Sequence, residues 1–338
     1  MSKIFSTILL CFLALGFCEC GGLTNNFYST SCPNAEKIVK KIISKHVAND
    51  ATLPAKLLRM HFHDCFVRGC DGSVLIDSTA KHKAEKEAVP NLSLGGFEVI
   101  EEIKTQLEKT CPGIVSCADV LALAARDSVS FKHLWKLIIQ FNKPMWEVET
   151  GRRDGIVSRE SDALNELPSP ASDFKTLKQS FADKGLSVKD LVVLSGIPIF
   201  THTHTGAHTI GVGKCIVFSN RLYNFTGKGD TDTSLNTTYA ATLRSKCRSL
   251  SDQTTTVEMD PTSSLDFDNH YFTALKLRQG LFQSDAALLT NDVARGVVDQ
   301  MLTSGKFYTQ FGKSMKKMGA IGVLTGDEGK IRKKCNIV

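Results

Sequence analysis

Arg59 and His63 stand four residues apart in the run Leu57-Leu-Arg-Met-His-Phe-His-Asp-Cys65. On a helix that spacing puts both on one face, with Phe62 beside them. A guanidinium stays charged at any working pH. An imidazole accepts and returns a proton near neutrality. A permanent cation, a titratable base and an aromatic wall over one small cavity suit heterolysis of an O–O bond. The base carries a proton from one oxygen to the other, and the cation stabilises the negative charge that develops. An amphipathic helix with a surface histidine would explain the same run taken alone. His61 and His63, two apart, fall on different helix faces and do not read as a metal pair.

The next residues, Asp64-Cys-Phe-Val-Arg-Gly-Cys-Asp-Gly-Ser73, offer side-chain oxygens at Asp64, Asp71 and Ser73, with the carbonyls of Val67 and Gly69 between them. Calcium takes about six to eight oxygens from such a mixed set. An acidic surface turn accounts for the carboxylates, but not for their place directly after the Arg59/His63 run. Cys65 and Cys70 are near enough to close this loop as a short disulfide.

The elements that must position these groups read as helices. Ile38, Val39, Ile42, Ile43 and Val47 recur at helical spacing within 34–49. Residues 95–109 and 116–126 repeat the pattern. So do Asp173 to Lys184, Lys189 to Leu194, Tyr239 to Cys247, Asp268 to Gln279 and Ala294 to Gly305, with Asp173 and Asp292 as N-caps. Gly, Pro, Ser and Asn cluster at 90–96, 165–172 and 224–236, which read as loops. Strand-like alternation is scarce, so the fold class is all-α (mainly α).

The chain has 338 residues, enough for a substantial core, and its 42% hydrophobic content against 22% charged excludes wholesale disorder. The net charge of +6 is spread along the chain. That argues against nucleic acid as a partner and leaves weak attraction to an acidic matrix. Lys3 followed by an apolar run from Ile4 to Phe17, then small residues near Cys18–Gly22, reads as a signal peptide over 1–22. The run is short of the ~20 residues a membrane span needs, and nothing later is apolar enough to span a bilayer. Cys11, Cys18 and Cys20 leave with the signal. Eight cysteines remain, an even number that implies disulfides in an exported chain, with many connectivities open.

Several longer motifs now stand in order: Leu58 to Ser73, Val115-Ser-Cys-Ala-Asp-Val120, Gly151-Arg-Arg-Asp154, Gly206-Ala-His-Thr-Ile-Gly211 and Phe267-Asp-Asn269. On these the chain resembles the plant secretory (class III) haem peroxidases over nearly everything after the signal. The resemblance implies two helical lobes around one haem b, four disulfides and two calcium ions. Residues 23–338 would form the domain, with a distal lobe roughly over 23–165 plus the C-terminal part and a proximal lobe roughly over 166–300. It implies that Arg59 stabilises the transition state, that His63 is the distal acid/base, that Phe62 restricts access to the ferryl oxygen, and that Asn91 orients His63. His208 would be the axial iron ligand and Asp285 its carboxylate partner. Asp64, Val67, Gly69, Asp71 and Ser73, with Glu85 through water, match the distal calcium ligands. Thr209, Asp260, Ser263, Asp266 (by its carbonyl) and Asp268 match the proximal ones. Pro168 matches a residue at the aromatic-substrate edge. The implied disulfides are Cys32–Cys111, Cys65–Cys70, Cys117–Cys335 and Cys215–Cys247. Asn224 and Asn236 are glycosylation sequons in a polar loop, whereas the sequon at Asn91 would be buried.

The implied activity is oxidation of small phenolic donors by hydrogen peroxide, by a monomer in the apoplast or cell wall. Acidic wall polysaccharide is a weak partner, and no membrane is involved. Two inserts depart from the family pattern. Residues 132–139 read as an outward surface bulge. Residues 197–206 separate Leu194-Ser-Gly196 from Ala207-His-Thr209, immediately before the expected iron ligand. Pro198 within it cannot continue a helix. The rival reading is a secreted calcium-binding protein of the same fold whose catalysis this insert impairs.

Overall fold

The computed structural model describes residues 22–134, 137–140, 144–196 and 206–338. Residues up to 21, which include nearly all of the expected signal peptide, and residues 197–205 of the second insert lie outside them. The first helices are α1 (Ala35–Asn49), α2 (Leu53–Phe66), α3 (Phe97–Thr110) and α4 (Cys117–Ser128). A hairpin of β1 (Phe131–Leu134) and β2 (Leu137–Gln140) follows, then α5 (Glu160–Glu166), α6 (Phe174–Asp183) and α7 (Val188–Leu194). Next come β3 (Gly206–Ala207), β4 (Ile210–Lys214), α8 (Cys215–Tyr223), α9 (Thr237–Lys246) and β5 (Thr256–Glu258). The chain ends with α10 (His270–Lys276), α11 (Gln283–Ala287), α12 (Asp292–Met301) and α13 (Ser304–Met318). Strands among the described residues are few and short, so the mainly α expectation is met.

The centre is built on α2 and α4. Every α4 residue is buried, and every α2 residue except Lys56. A helix packed all round has no solvent face to hold polar groups, so the polar groups on α2 must be satisfied by partners inside. α2 lies on α4, α4 on α1 and α1 on α3. On the other side α7 packs against α6, α12 and α13. One large hydrophobic core runs through both groups of helices. A smaller one gathers Phe218, Leu222, Leu243, Val257 and Phe282 around α8, α9 and β5.

The motif Gly151-Arg-Arg-Asp154 serves as a structural tie. Arg152 pairs with buried Asp119 at 2.8 Å and donates from Nη2 to the Gly319 carbonyl at 2.7 Å. Asp154 accepts from the amides of Ala118 and Arg332. Each charge is buried with partners on several elements, the condition under which burial is tolerable.

The eight cysteines pair as Cys32–Cys111, Cys65–Cys70, Cys117–Cys335 and Cys215–Cys247. Asp173 caps α6 through the Thr176 amide, as its sequence predicts. Asp292 is corrected: Asn291 caps α12, its Oδ1 accepting from the amides of Val293 and Ala294. Both neighbours are capping types, and geometry selects the first. The pattern from Ala294 to Gly305 also breaks after Met301, and α13 begins at Ser304.

The first insert folds as a hairpin where the sequence reads as a loose bulge. Its register pairs Phe131 with Gln140 and Leu134 with Leu137. The β-branched pair Ile138–Ile139 favours this extended form. Because Phe131 and Gln140 are direct partners, the extra residues leave and return at one point.

Candidate active site

Arg59, Phe62 and His63 lie on α2 and are fully buried, all 0% exposed. His63 Nδ1 and Asn91 Oδ1 are 2.5 Å apart, and Asn91 Nδ2 donates to the Glu85 carbonyl at 2.8 Å. That second bond fixes which way the amide points. Its oxygen must accept, so His63 carries its proton on Nδ1 and presents a lone pair at Nε2. Arg59 Nε donates to that Nε2 at 3.2 Å. Arg59 Nη1 donates to Ser93 Oγ at 2.8 Å and Nη2 to the Pro90 carbonyl at 2.6 Å. Burial lowers the Arg59 pKa to about 9, which still leaves it charged at neutrality. Phe62 stacks on Phe66 with ring centroids 4.0 Å apart, and Phe181 packs edge-on against Phe66. The predicted set on this helix is therefore assembled, and the short turn carrying Pro90, Asn91 and Ser93 clamps it. In the sequence Ser93 stands out only as part of the Asn91 sequon.

His61 is also buried, 3.6 Å through Nδ1 from Cys65 Sγ and near Asp64. Cys65 is consumed in a disulfide. Burial, then the charge of Arg152, lowers the His61 pKa to about 3, so it packs as a neutral ring.

Below α2, Asp64, Asp71 and Glu85 converge. Asp64 accepts from the Gly72 amide at 3.0 Å, and Asp71 from the Ser73 amide at 2.9 Å. Glu85 Oε2 is buried without a hydrogen-bond partner. Ser73 Oγ sits beside that carboxyl without hydrogen-bond geometry. Burial, then the charge of Asp71, raises the Asp64 pKa well above the carboxylate range; burial, then Asp64, does the same to Glu85; burial raises Asp71. Three neighbouring carboxyls, each with its pKa raised by burial, beside an unpaired hydroxyl, are a donor set that fits a hard divalent cation. Gly155 borders it because a Cβ there would stand 2.0 Å from Asp71 Oδ2.

A second oxygen set surrounds Thr209. Thr209 Oγ1, Asp260 Oδ2 and Asp266 Oδ1 are buried without hydrogen-bond partners. The unpaired Asp266 atom belongs to its side chain, whereas the sequence reading names the carbonyl. Ser263 Oγ donates to Asp268, and His270 Nδ1 lies 2.6 Å from Asp260 Oδ1. Burial raises the Asp260 pKa against the lowering effect of His270. This set also fits calcium.

β3 and β4 pair with Ala207 opposite Ile210 and Gly206 opposite Gly211. His208 and Thr209 are therefore the two turn residues of a hairpin, and His208 is 2% exposed. Its Nδ1 bonds to Asp285 Oδ1, while Asp285 Oδ2 accepts from the Phe282 amide at 2.8 Å. Burial pushes the Asp285 pKa up. The charge and hydrogen bond of His208, the Phe282 amide and the Tyr271 hydroxyl outweigh burial and hold it below the usual range. The other ring nitrogen, His208 Nε2, is buried without a hydrogen-bond partner. An imidazole fixed by a carboxylate through Nδ1, with Nε2 unpaired in the interior, fits an axial iron ligand. Asp285 can come this close because residue 280 is glycine: a Cβ there would lie 2.5 Å from the Asp285 Cβ.

The Thr209 amide donates to the Gly196 carbonyl at 3.4 Å, so the chain leaves at Gly196 and returns beside it. β3, however, rests against α2 with Cα atoms within 8 Å. A flat ring keeps ~3.5 Å from atoms on each face. Backbones this close leave little space for a flat ring between them at that place. The donors fit haem, and this one clearance does not. Pro168 is buried just after α5.

A helical, four-disulfide fold with an arginine–histidine pair on one helix and a carboxylate-bound histidine in a separate turn defines the haem peroxidase class. A family model described as Peroxidase matches residues 39–304. Peroxidase 56 of Arabidopsis thaliana is 53% identical over 319 residues, covering 94% of this chain and 91% of that protein. Peroxidase 27 of the same plant is 53% identical over 330 residues, covering 96% and 95%. Peroxidase 3 is 52% identical over 318 residues, covering 93% and 91%. The chain belongs to the peroxidase family, and membership implies a haem cofactor, a peroxide oxidant and a reducing donor.

Proposed function

We propose that the protein is an exported peroxidase that uses hydrogen peroxide to oxidise small phenolic donors one electron at a time. It would bind one haem b and two calcium ions, and act as a monomer in the apoplast or cell wall. The bridges of Cys32–Cys111 and Cys117–Cys335 support an oxidising compartment. The net charge of +6 supports weak attraction to acidic wall polysaccharide.

The carrying observation is the chain of bonds from Asn91 through His63 to Arg59. Asn91 holds the proton on Nδ1, so Nε2 takes a proton from one peroxide oxygen and returns it to the leaving oxygen. Arg59, held by Ser93 and Pro90, faces the negative charge that develops as the O–O bond parts. Asp285 gives His208 imidazolate character, which strengthens it as a donor. Haem held by His208 would supply a redox iron able to take two oxidising equivalents from peroxide and pass them on singly. Asp64, Asp71, Ser73 and Glu85 would hold the distal calcium with the carbonyls of Val67 and Gly69. Thr209, Asp260, Ser263, Asp266 and Asp268 would hold the proximal one. The distal calcium would steady His63, since the Glu85 carbonyl accepts from Asn91.

A second reading rests on β3 lying against α2. If that contact persists, the chain is a folded, disulfide-bonded calcium binder that takes haem poorly. An absorption spectrum of the purified protein decides. A Soret band with peroxide-dependent oxidation of guaiacol supports the first reading. Calcium binding with no Soret band after hemin addition overturns it in favour of the second.

A further inference from the structure

Asp285 Oδ1 accepts two hydrogen bonds: one from His208 Nδ1 and one from the Tyr271 hydroxyl, the latter at 2.8 Å. Tyr271 lies on α10, 1% exposed, with its ring edge-on to His208 at 5.4 Å between centroids. The remaining Asp285 oxygen is tied to the Phe282 amide at the start of α11. The carboxylate therefore cannot turn to give each donor its own oxygen.

From this geometry we propose that Tyr271 is a positioning residue for the peroxidase reaction: its hydroxyl competes with His208 for one carboxylate oxygen and sets how much imidazolate character His208 carries. The inference rests on the reading of His208 as the iron ligand. A carboxylate oxygen that already accepts a hydrogen bond is a weaker acceptor for the next. The tyrosine thus draws charge away from the side of Asp285 that faces His208, and leaves the imidazole a poorer donor than Asp285 alone would make it. Burial first, and then the charge of Asp285, raise the Tyr271 pKa well above its ordinary value, so the phenol remains a proton donor throughout the working range. The ring of Phe282 also flanks His208, with centroids 5.2 Å apart.

The test is Tyr271→Phe in the haem-loaded protein, read by resonance Raman at the ferrous iron–imidazole stretch and by the ferric/ferrous midpoint potential. Removing only the hydroxyl should raise the stretching frequency and lower the potential. Replacing Tyr271 with 3-fluorotyrosine, a stronger donor of nearly the same shape, should move both in the opposite direction. A packing role alone would give no such ordered series, because phenylalanine and fluorotyrosine fill almost the same space. An iron–imidazole band that does not move, or moves alike in both variants, overturns the inference. Absence of the band in the unsubstituted protein instead overturns the assignment of His208. If Tyr271→Phe proves unstable, the fluorotyrosine protein still decides by its shift.

Discussion

The two halves of the site are held in different ways. Arg59, Phe62 and His63 occupy one turn of one buried helix, so 1.5 Å of rise per residue fixes their spacing. His208 sits in a hairpin turn, and its place depends on partners far away in the chain: Asp285 through a side chain and Gly196 through a backbone bond. A site written on one helix tolerates change elsewhere. A site written on a turn tolerates change only if distant anchors pull the turn back. The second insert puts that rule to use. The insert stands directly before His208 in the sequence, yet the His208–Asp285 bond is formed. The first insert closes on itself through Phe131 and Gln140.

The largest expected effect comes from breaking the helical half. His63→Ala should slow the reaction with peroxide by ~10²–10⁴-fold, the usual contribution of a positioned acid/base. The Soret band should persist, since nothing on the His208 side is altered. Stopped-flow mixing with peroxide measures it. Unchanged kinetics would show that Arg59 and His63 are mere core polar residues.

The turn-borne half is sharpened by deletion. Removing residues 197–206 joins Gly196 to Ala207, and the existing Thr209–Gly196 bond then becomes an ordinary turn bond. The deletion also takes Gly206 out of β3 and so relieves its contact with α2. Hemin should then bind ~10-fold more tightly or better, the scale on which the surroundings of an iron ligand act. Fluorescence titration with hemin checks this. Weaker binding in the shortened chain would mean that the insert supports the His208 turn.

The same contrast explains what the sequence made legible. The Arg59/Phe62/His63 face and the helix over 34–49 follow from periodicity, because their neighbours in space are neighbours at three or four residues. The disulfide pairing does not follow from spacing; only the resemblance to a family supplied it. Tyr271 meets Asp285 from a separate helix, and no local pattern announces such a meeting. α13 was missed although Phe307, Phe311, Met315 and Met318 recur at helical spacing. Its lysine-rich outer face hid that stripe. The β1–β2 hairpin was missed because its alternation spans too few residues to stand out.

The smallest effect separates the two oxygen sets proposed to hold calcium. In metal-free protein, Asp64, Asp71 and Glu85 have pKa values above those of the unfolded chain, which lie at ~4. The folded state then binds more protons than the unfolded one, so stability is greatest below that pH and falls as pH rises toward the folded values. Bound calcium would reverse the sign by holding the carboxylates ionised. The gap in melting temperature between calcium-loaded and chelated protein should therefore widen from about pH 4 to neutrality. On the proximal side Asp260 is raised as well, but His270 partly offsets its burial. Asp71→Asn should accordingly remove more of the pH-dependent gap than Asp260→Asn. Thermal melts with and without chelator across that range decide the order, and an equal loss from both variants would place the two oxygen sets on the same footing.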